Sequence, residues 1–252
     1  MTNLPSPKRG FTTGFHCTAC GHKFRRELRR IYVDHPTFEQ RQIYKQETRH
    51  SEYIIPQRIA CPKCQAVDQY ELTEYTLTSL SIAMTVALLT GNLVEGHPVR
   101  IIAFALSDGQ VMHPLEALEK YRRQVATAPQ DQQIRLRYAN VLRTLGYLDE
   151  AQAEYTTLVD QDPAQLEAWY NLAAIHVALK RKREAKKALL QLVGKAQQAS
   201  SLNQSEAGWA QNARYYLEGD WPLDELIPQG VFEAAPFRDS LIWRSNQERR
   251  KR

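Results

Sequence analysis

The chain has 252 residues, with 33 Lys and Arg against 28 Asp and Glu, which leaves a formal net charge of +5. This length suits one large domain or two modest ones, and either can bury a hydrophobic core. Hydrophobic residues make up 43% of the chain and charged residues 24%, which excludes wholesale disorder.

The N-terminal residues 1–13 are expected to be a flexible segment. The first twenty residues lack the apolar run of a secretory signal peptide. We therefore expect a cytoplasmic protein in a reducing compartment, where paired cysteines bind metal rather than form disulfides.

All four cysteines lie in two C-x-x-C pairs, Cys17/Cys20 and Cys61/Cys64. Each pair can present two thiolates from one tight turn, and two such turns complete a tetrahedral shell around a metal ion. Gly21 follows the first pair, where the chain must turn at little steric cost. A shell of four thiolates leaves no open position, so we expect one structural Zn²⁺ per chain. Iron bound by the same thiolates is the alternative.

The segments CTACGHKF and CPKCQ, with strands beside them, resemble the zinc-ribbon family. The resemblance covers residues 14–75 and implies a small module of antiparallel strands. We place these strands at 23–33, 53–59 and 69–72. The 40 residues between the two cysteine pairs exceed the spacing of many ribbons, so we expect a polar insert at 37–51.

Positive charge is concentrated in three runs, 22–30, 180–187 and 244–252, with net charges of +4, +5 and +4. The rest of the chain therefore carries −8. The middle run is expected to be solvated surface. The other two suggest nucleic acid as an alternative partner, because basic residues cluster there. Because side chains alternate along a strand, one face of the ribbon should carry Lys23, Arg25 and Arg29, and the other face Arg26 and Arg30. The tail supplies four more cations: Arg249, Arg250, Lys251 and Arg252.

Residues 76–113 are predicted to connect the ribbon to the rest of the chain. The longest apolar stretch, 77–89, has thirteen residues, four of them Ser or Thr. A membrane span needs about 20 mostly apolar residues, so a buried helix is predicted. Residues 98–112 are predicted to form a β-hairpin that turns at Ser-Asp-Gly.

From residue 114 the sequence repeats with a period of 34. Glu-Ala recurs at 116–117, 150–151 and 184–185, and a large residue stands four positions beyond each alanine: Tyr121, Tyr155 and Leu189. Pro129 and Pro163 close two of the units. The spacing of apolar residues predicts paired helices, and each proline ends a unit because it cannot continue a helix.

This period and pattern resemble the tetratricopeptide repeat. The resemblance implies an all-α solenoid over residues 114–218, with full units at 131–164 and 165–197 and a capping helix at 203–218. It also implies a groove, lined by the first helix of each unit, that binds a peptide or a partner's surface. We assign eight residues to it: Leu136, Asn140, Arg143, Trp169, Tyr170, Asn171, Ala174 and Val177. Asn140 and Asn171 resemble the pair that holds a peptide carboxylate in some members, although Leu136 stands where their lysine would be.

The sequence therefore predicts an α+β chain with a four-cysteine zinc ribbon, a helical solenoid, and a C-terminal extension with a basic tail at 219–252. No Gly-rich phosphate loop, H-E-x-x-H or G-x-S-x-G motif occurs. We therefore expect no catalytic residues, and a non-enzymatic adaptor or scaffold that binds a protein partner. The alternatives are a nucleic-acid-binding protein and a structural subunit of a larger complex.

Overall fold

The computed structural model describes residues 11–28, 30–90, 99–102 and 111–218. The chain divides into two compact units, and the boundary lies between His113 and Pro114. The first unit contains the strands and the four cysteines, and the second contains helices. The predicted α+β class is therefore confirmed.

The described part of the first unit has six strands: β1 (Phe11–Cys17), β2 (Lys23–Leu28), β3 (Ile31–Asp34), β4 (Tyr53–Ile54), β5 (Tyr70–Leu72) and β6 (Val99–Ile102). They form two three-stranded sheets, in the orders β2-β1-β5 and β4-β3-β6. The pairing of β3 with β6 is parallel, and the other pairings are antiparallel.

The strands differ from the sequence prediction in three places. The strand predicted at 23–33 is two strands, β2 and β3, because β3 pairs with β4 and β6 instead of continuing the ribbon. The strand predicted at 53–59 is regular only at Tyr53 and Ile54. β1 was not predicted, and it begins at Phe11, within the segment expected to be flexible.

The long insert between the cysteine pairs contains α1 (His35–Phe38) and a five-residue π-helix, Glu39–Ile43. Asp34 caps α1 by accepting a 3.1 Å hydrogen bond from the backbone N–H of Thr37. The carboxylate of Glu52 is buried and accepts hydrogen bonds from Arg41 at 2.6 Å and Gln42 at 3.0 Å. Hydrogen bonds from one charged and one neutral donor to this buried carboxylate therefore hold the polar segment in place.

Helix α2 (Glu74–Thr90) follows β5. Its Leu80, Met84 and Ala87 belong to one hydrophobic core with residues of both sheets, including Phe15 and Val33. The sequence predicts a buried helix, whereas the structure buries one stripe and leaves the other face exposed. Among the helices that the structure describes, none has the length and apolar character needed to cross a membrane.

The hairpin predicted at 98–112 lies partly outside the described residues, which omit 103–110. The part that is described, β6, pairs in parallel with β3, from Ile31 opposite Val99 to Asp34 opposite Ile102. Its hydrogen-bonded neighbour is therefore a strand far away in the sequence.

The second unit has six helices among its described residues: α3 (Pro114–Thr127), α4 (Gln132–Thr144), α5 (Leu148–Gln161), α6 (Leu166–Ala178), α7 (Lys182–Gln198) and α8 (Gln204–Glu218). α6 begins 34 residues after α4, and α7 begins 34 residues after α5. The sequence period is therefore the period of the fold.

Small buried residues let these helices pack closely. Ala139, Ala151, Ala173 and Ala185 have no exposed surface, and they share one core with Tyr155 and Leu189. The turn from α4 to α5 places Gly146 at φ +76°, and the equivalent turn from α6 to α7 places Lys180 at φ +60°. Both residues are in the left-handed region, which favours glycine.

Candidate metal centre and partner-binding face

The two cysteine pairs sit on turns of matching construction. In the first turn, Cys17 N–H donates to the His22 carbonyl at 2.9 Å, and Gly21 N–H donates to the Cys17 carbonyl at 2.9 Å. In the second turn, Cys61 N–H donates to the Ala66 carbonyl at 2.9 Å, and Gln65 N–H donates to the Cys61 carbonyl at 3.0 Å. Gly21 and Gln65 both have positive φ, +70° and +62°. Each turn thus directs its two sulfurs to the same side.

The four sulfurs converge on one point. The Sγ atoms of Cys17 and Cys64 are 3.7 Å apart, as are those of Cys20 and Cys61, and all four lie within 4.8 Å of one another. An ion about 2.3 Å from each of four sulfurs implies a tetrahedron with edges of about 3.8 Å. A disulfide would need about 2.05 Å. The spacing therefore fits a tetrahedral metal ion, and the four predicted ligands are brought together.

The thiols of this cluster ionise unequally. Burial raises the pKa of Cys61, but the backbone N–H groups of Cys64 and Lys63 outweigh it and bring the pKa to about 7. The backbone N–H of His22 lowers the pKa of Cys20, yet burial and the neighbouring cysteine sulfurs raise it to about 12. The thiolate of Cys61 therefore forms readily, whereas the Cys20 thiol resists ionisation. A bound cation would remove that resistance, because it favours all four thiolates.

Only some of the cations predicted on the ribbon lie together on one face of the sheet. Lys23 and Arg25 are exposed and stand opposite His16 and Gly14 of β1, so they share one face of the sheet. Arg26 is exposed on the other face, with its guanidinium 5.7 Å from the ring centre of Phe24. A further cation, Arg30, is half-buried between β2 and β3. The predicted Arg29, Arg249, Arg250, Lys251 and Arg252 lie outside the described residues.

The eight residues predicted to line the groove lie on α4 and α6, but most of them are buried. Asn140 and Trp169 are half-buried; the buried six are Leu136, Arg143, Tyr170, Asn171, Ala174 and Val177. The ring of Tyr170 stacks on Trp209 of α8, with centroids 6.4 Å apart. The indole N–H of Trp169 donates to the Pro163 carbonyl at 3.0 Å. These side chains therefore pack between helices, and their role as partner contacts stays a prediction.

Asn140 is the centre of a polar junction between three helices. Its Oδ1 accepts hydrogen bonds from the Tyr155 hydroxyl at 2.5 Å and from Asn171 Nδ2 at 3.0 Å. Its Nδ2 donates to Glu167 Oε1 at 2.9 Å. Burial raises the pKa of Tyr155, so this phenol stays protonated and remains a donor. From the sequence, Tyr155 was expected only to pack, and Glu167 was not singled out. No spacing rule relates residues on different helices, so the sequence alone could not show that both contact Asn140.

Arg143 lies beside this junction with 6% of its surface exposed. Its positive charge acts on the hydroxyls of Tyr155 and Tyr170, opposing the effect of burial on both. Its Nε atom is buried and has no hydrogen-bond partner among the described residues. The junction thus carries a buried positive charge close to two phenols.

The accessible part of the first helices is a row on α4. Gln133 and Arg137 are exposed, and Asn140 completes the row at helical spacing. Glu167 of α6, half-buried and bonded to Asn140, lies next to this row. We call the surface formed by Gln133, Arg137, Asn140 and Glu167 the first-helix face.

Residues 142–205 match the family model described as tetratricopeptide repeat. The match runs from the end of α4 into the start of α8, so this part of the second unit consists of such repeats. The chain therefore combines a four-cysteine, ribbon-like module with a tetratricopeptide-like helical module, as the sequence predicted. Neither the curated proteins nor the solved structures include one that matches the chain.

Proposed function

We propose that this protein is a non-enzymatic adaptor that docks a segment of a protein partner on the first-helix face. The observation that carries the proposal is the junction at Asn140. Three hydrogen bonds hold this half-buried amide in one orientation beside the exposed Gln133 and Arg137. A polar side chain that is already fixed binds with less loss of entropy than a mobile one.

The four-cysteine centre has a structural role in this proposal. Four thiolates fill a tetrahedral shell, so Zn²⁺ held by them has no open position for a substrate. The ion would join the turn between β1 and β2 to the second cysteine turn, because each turn supplies two of the four sulfurs. The 3.7 Å sulfur separations, which are those of a metal site rather than of disulfides, support a reducing compartment such as the cytoplasm.

The experiment is affinity capture with the full chain and two charge-reversal variants. Arg137→Glu changes the first-helix face, and Arg183→Glu is the matched control, since Arg183 is an exposed arginine on α7. We expect a partner to co-purify with the wild type and with the control, and to be retained about tenfold less by Arg137→Glu. Equal retention by both variants would contradict the proposal.

Nucleic acid is the second candidate partner, and the surface of β2 favours it. Lys23, Arg25 and Arg26 are exposed on this strand, which is at the edge of its sheet. The ring of Phe24 is nearly parallel to that of His22, with centroids 6.2 Å apart, and Arg26 lies over it. Aromatic rings and cations in alternation suit stacked bases and phosphates.

Salt dependence distinguishes the two candidates. Phosphate-driven affinity falls by roughly one log unit per contact per log unit of salt, so binding to a labelled DNA strand should weaken sharply between about 50 and about 200 mM salt. Arg26→Glu, on the face that also carries His22 and Phe24, should weaken it sharply, whereas Lys186→Glu on α7 should not. Absence of binding at the lower salt concentration would remove this candidate.

A further inference from the structure

The four cysteines of the metal centre differ in their access to solvent. Cys17 has no exposed surface and Cys61 has 1%, whereas Cys20 is half-buried and Cys64 is exposed. Oxidation of a cysteine requires a thiolate that the oxidant can reach, and a thiol that coordinates a metal ion is already deprotonated. Each turn therefore offers one accessible cysteine, and the more accessible of the two is Cys64.

The second cysteine turn holds Cys64 at the surface of the first unit. Its sequence neighbours Lys63 and Gln65 are exposed as well. The hydrogen bond from Cys61 N–H to the Ala66 carbonyl, at 2.9 Å, closes the turn around these three residues. A small uncharged oxidant, such as hydrogen peroxide, can thus reach Cys64 without any opening of the hydrophobic core.

A second thiol stands close to Cys64. The Sγ atoms of Cys17 and Cys64 are 3.7 Å apart, and a disulfide bond would bring them to about 2.05 Å. Cys17 is buried at the end of β1, so an oxidant in solution does not reach its sulfur directly. An exposed cysteine that reacts first and a neighbouring cysteine that resolves the product are the two parts of a reversible oxidation site.

We propose that Cys64 is an oxidation site for small peroxides and that Cys17 resolves its oxidised form. The Cys64 thiolate attacks one peroxide oxygen, the O–O bond breaks, and the products are a sulfenic acid and hydroxide. The Cys17 thiolate then attacks the Cys64 sulfur, an S–S bond forms, and the S–O bond breaks to release a second hydroxide. The two sulfurs together lose two electrons, and the peroxide gains them.

The disulfide would remove two of the four metal ligands. The remaining pair, Cys20 and Cys61, cannot fill a tetrahedral shell, so the ion is released. The new bond still joins the end of β1 to the second cysteine turn. A dithiol reductant restores both thiols by exchange and itself becomes a disulfide. This inference rests on the metal centre proposed above and does not depend on the first-helix face.

The test uses the full chain, loaded with Zn²⁺ and treated with an equimolar amount of hydrogen peroxide. A chromogenic chelator measures the released zinc, and mass spectrometry of the unreduced tryptic digest locates the first disulfide. Trypsin cuts after Lys63, so Cys61 and Cys64 fall on different peptides. We expect zinc release together with a Cys17–Cys64 disulfide, and recovery of both thiols when a dithiol is added.

Two histidine variants distinguish Cys64 from the other accessible cysteine. Cys64→His and Cys20→His each keep three cysteines and one histidine, a ligand set that zinc accepts. Since the ligand types are the same, the two variants differ only in which thiolate has been replaced. We expect peroxide to release zinc about tenfold more slowly from Cys64→His than from Cys20→His.

Three results would overturn the proposal. A reduced chain that does not retain Zn²⁺ would refute the metal centre and this proposal with it. A zinc-loaded chain whose first disulfide lies within one turn, Cys17–Cys20 or Cys61–Cys64, would show that Cys17 does not resolve the oxidised Cys64. Equal rates of zinc release from the two variants would show that the peroxide does not attack at Cys64.

Discussion

The phenol of Tyr155 on α5 donates a 2.5 Å hydrogen bond to the side-chain oxygen of Asn140 on α4. Tyr155 has no exposed surface, so water does not compete for this bond. Tyr155 stands at the large-residue position of the repeat, four residues beyond Glu-Ala. This residue therefore both fills space between the helices and fixes an amide on the first-helix face.

Removing this hydroxyl should destabilise the second unit. Tyr155→Phe keeps the ring in the core but takes one donor from the Asn140 oxygen, and we expect the free energy of unfolding to fall by about 1–3 kcal/mol. Tyr215→Phe, at a tyrosine of the same unit that is 52% exposed, should change it by less than about 0.5 kcal/mol. Urea unfolding of the full chain measures both. If the wild type and Tyr155→Phe have the same free energy of unfolding, the hydrogen bond to Asn140 does not stabilise the second unit.

Metal removal should affect the first unit alone. We expect about one Zn²⁺ per chain by elemental analysis, and a chelator should abolish hydrogen-exchange protection in β1, β2 and β5. Protection in α5 and α7, which belong to the core of the second unit, should stay. Cys17→Ser should lower bound metal about tenfold or more, whereas Thr18→Ala, at an exposed position in the same turn, should not. A chain that carries no zinc or iron would refute the metal centre.

The two turns between repeat helices give a test of backbone strain. Lys180 has φ +60° at the position where the previous unit has Gly146 at φ +76°. A non-glycine residue in this region costs about 1–2 kcal/mol, so Lys180→Gly should raise the free energy of unfolding by about 1 kcal/mol. Gly146→Ala should lower it by a similar amount. If both substitutions shift stability in the same direction, the two turns are not equivalent.

Asp34 should make the stability of the first unit depend on pH. Burial raises the pKa of its carboxyl, although hydrogen bonds from Thr37 and the charge of His35 lower it in part. The folded chain thus keeps the proton to a higher pH than the unfolded chain. The stability from the protonated form is fully present below about pH 4 and is lost as the pH rises through the raised pKa.

Asp34→Asn isolates this effect, since an amide oxygen can still accept from Thr37. We expect this variant to unfold at a higher temperature than the wild type at pH 7 and to match it near pH 4. Thr12→Asn, at an exposed position of β1 whose side chain does not titrate, is the control and should give the same difference at both pH values. A pH-independent effect of Asp34→Asn would show that burial of the carboxylate has no energetic cost.

The cysteine cluster and the helical repeat could be predicted from the sequence because each follows from a local rule. Four ligands in two C-x-x-C turns have few alternatives in a reducing compartment, and a 34-residue period is visible without any structure. β1 was missed although Phe11, Phe15 and Cys17 alternate along it, because the alternation is short and ends within the metal-binding turn.

The remaining features depend on contacts between distant residues. Ile31 pairs with Val99, and no periodicity in either segment marks a parallel pair of strands so far apart in sequence. The first helices of the repeats were placed correctly, but which of their side chains are accessible depends on α8, whose Trp209 stacks on Tyr170. Arg137, which the sequence did not single out, is exposed, whereas the predicted Arg143 is buried beside Tyr155 and Tyr170.

Footprinting of the complex with the captured partner is the measurement that tests the adaptor proposal most directly. Side-chain labelling of the full chain, with and without the partner, reports which surfaces become protected. We expect protection of Arg137 and of other first-helix positions on α4 and α6, with the exposed residues Arg183 and Lys186 of α7 unchanged. Protection confined to α7, with Arg137 labelled equally in the free and bound states, would contradict it.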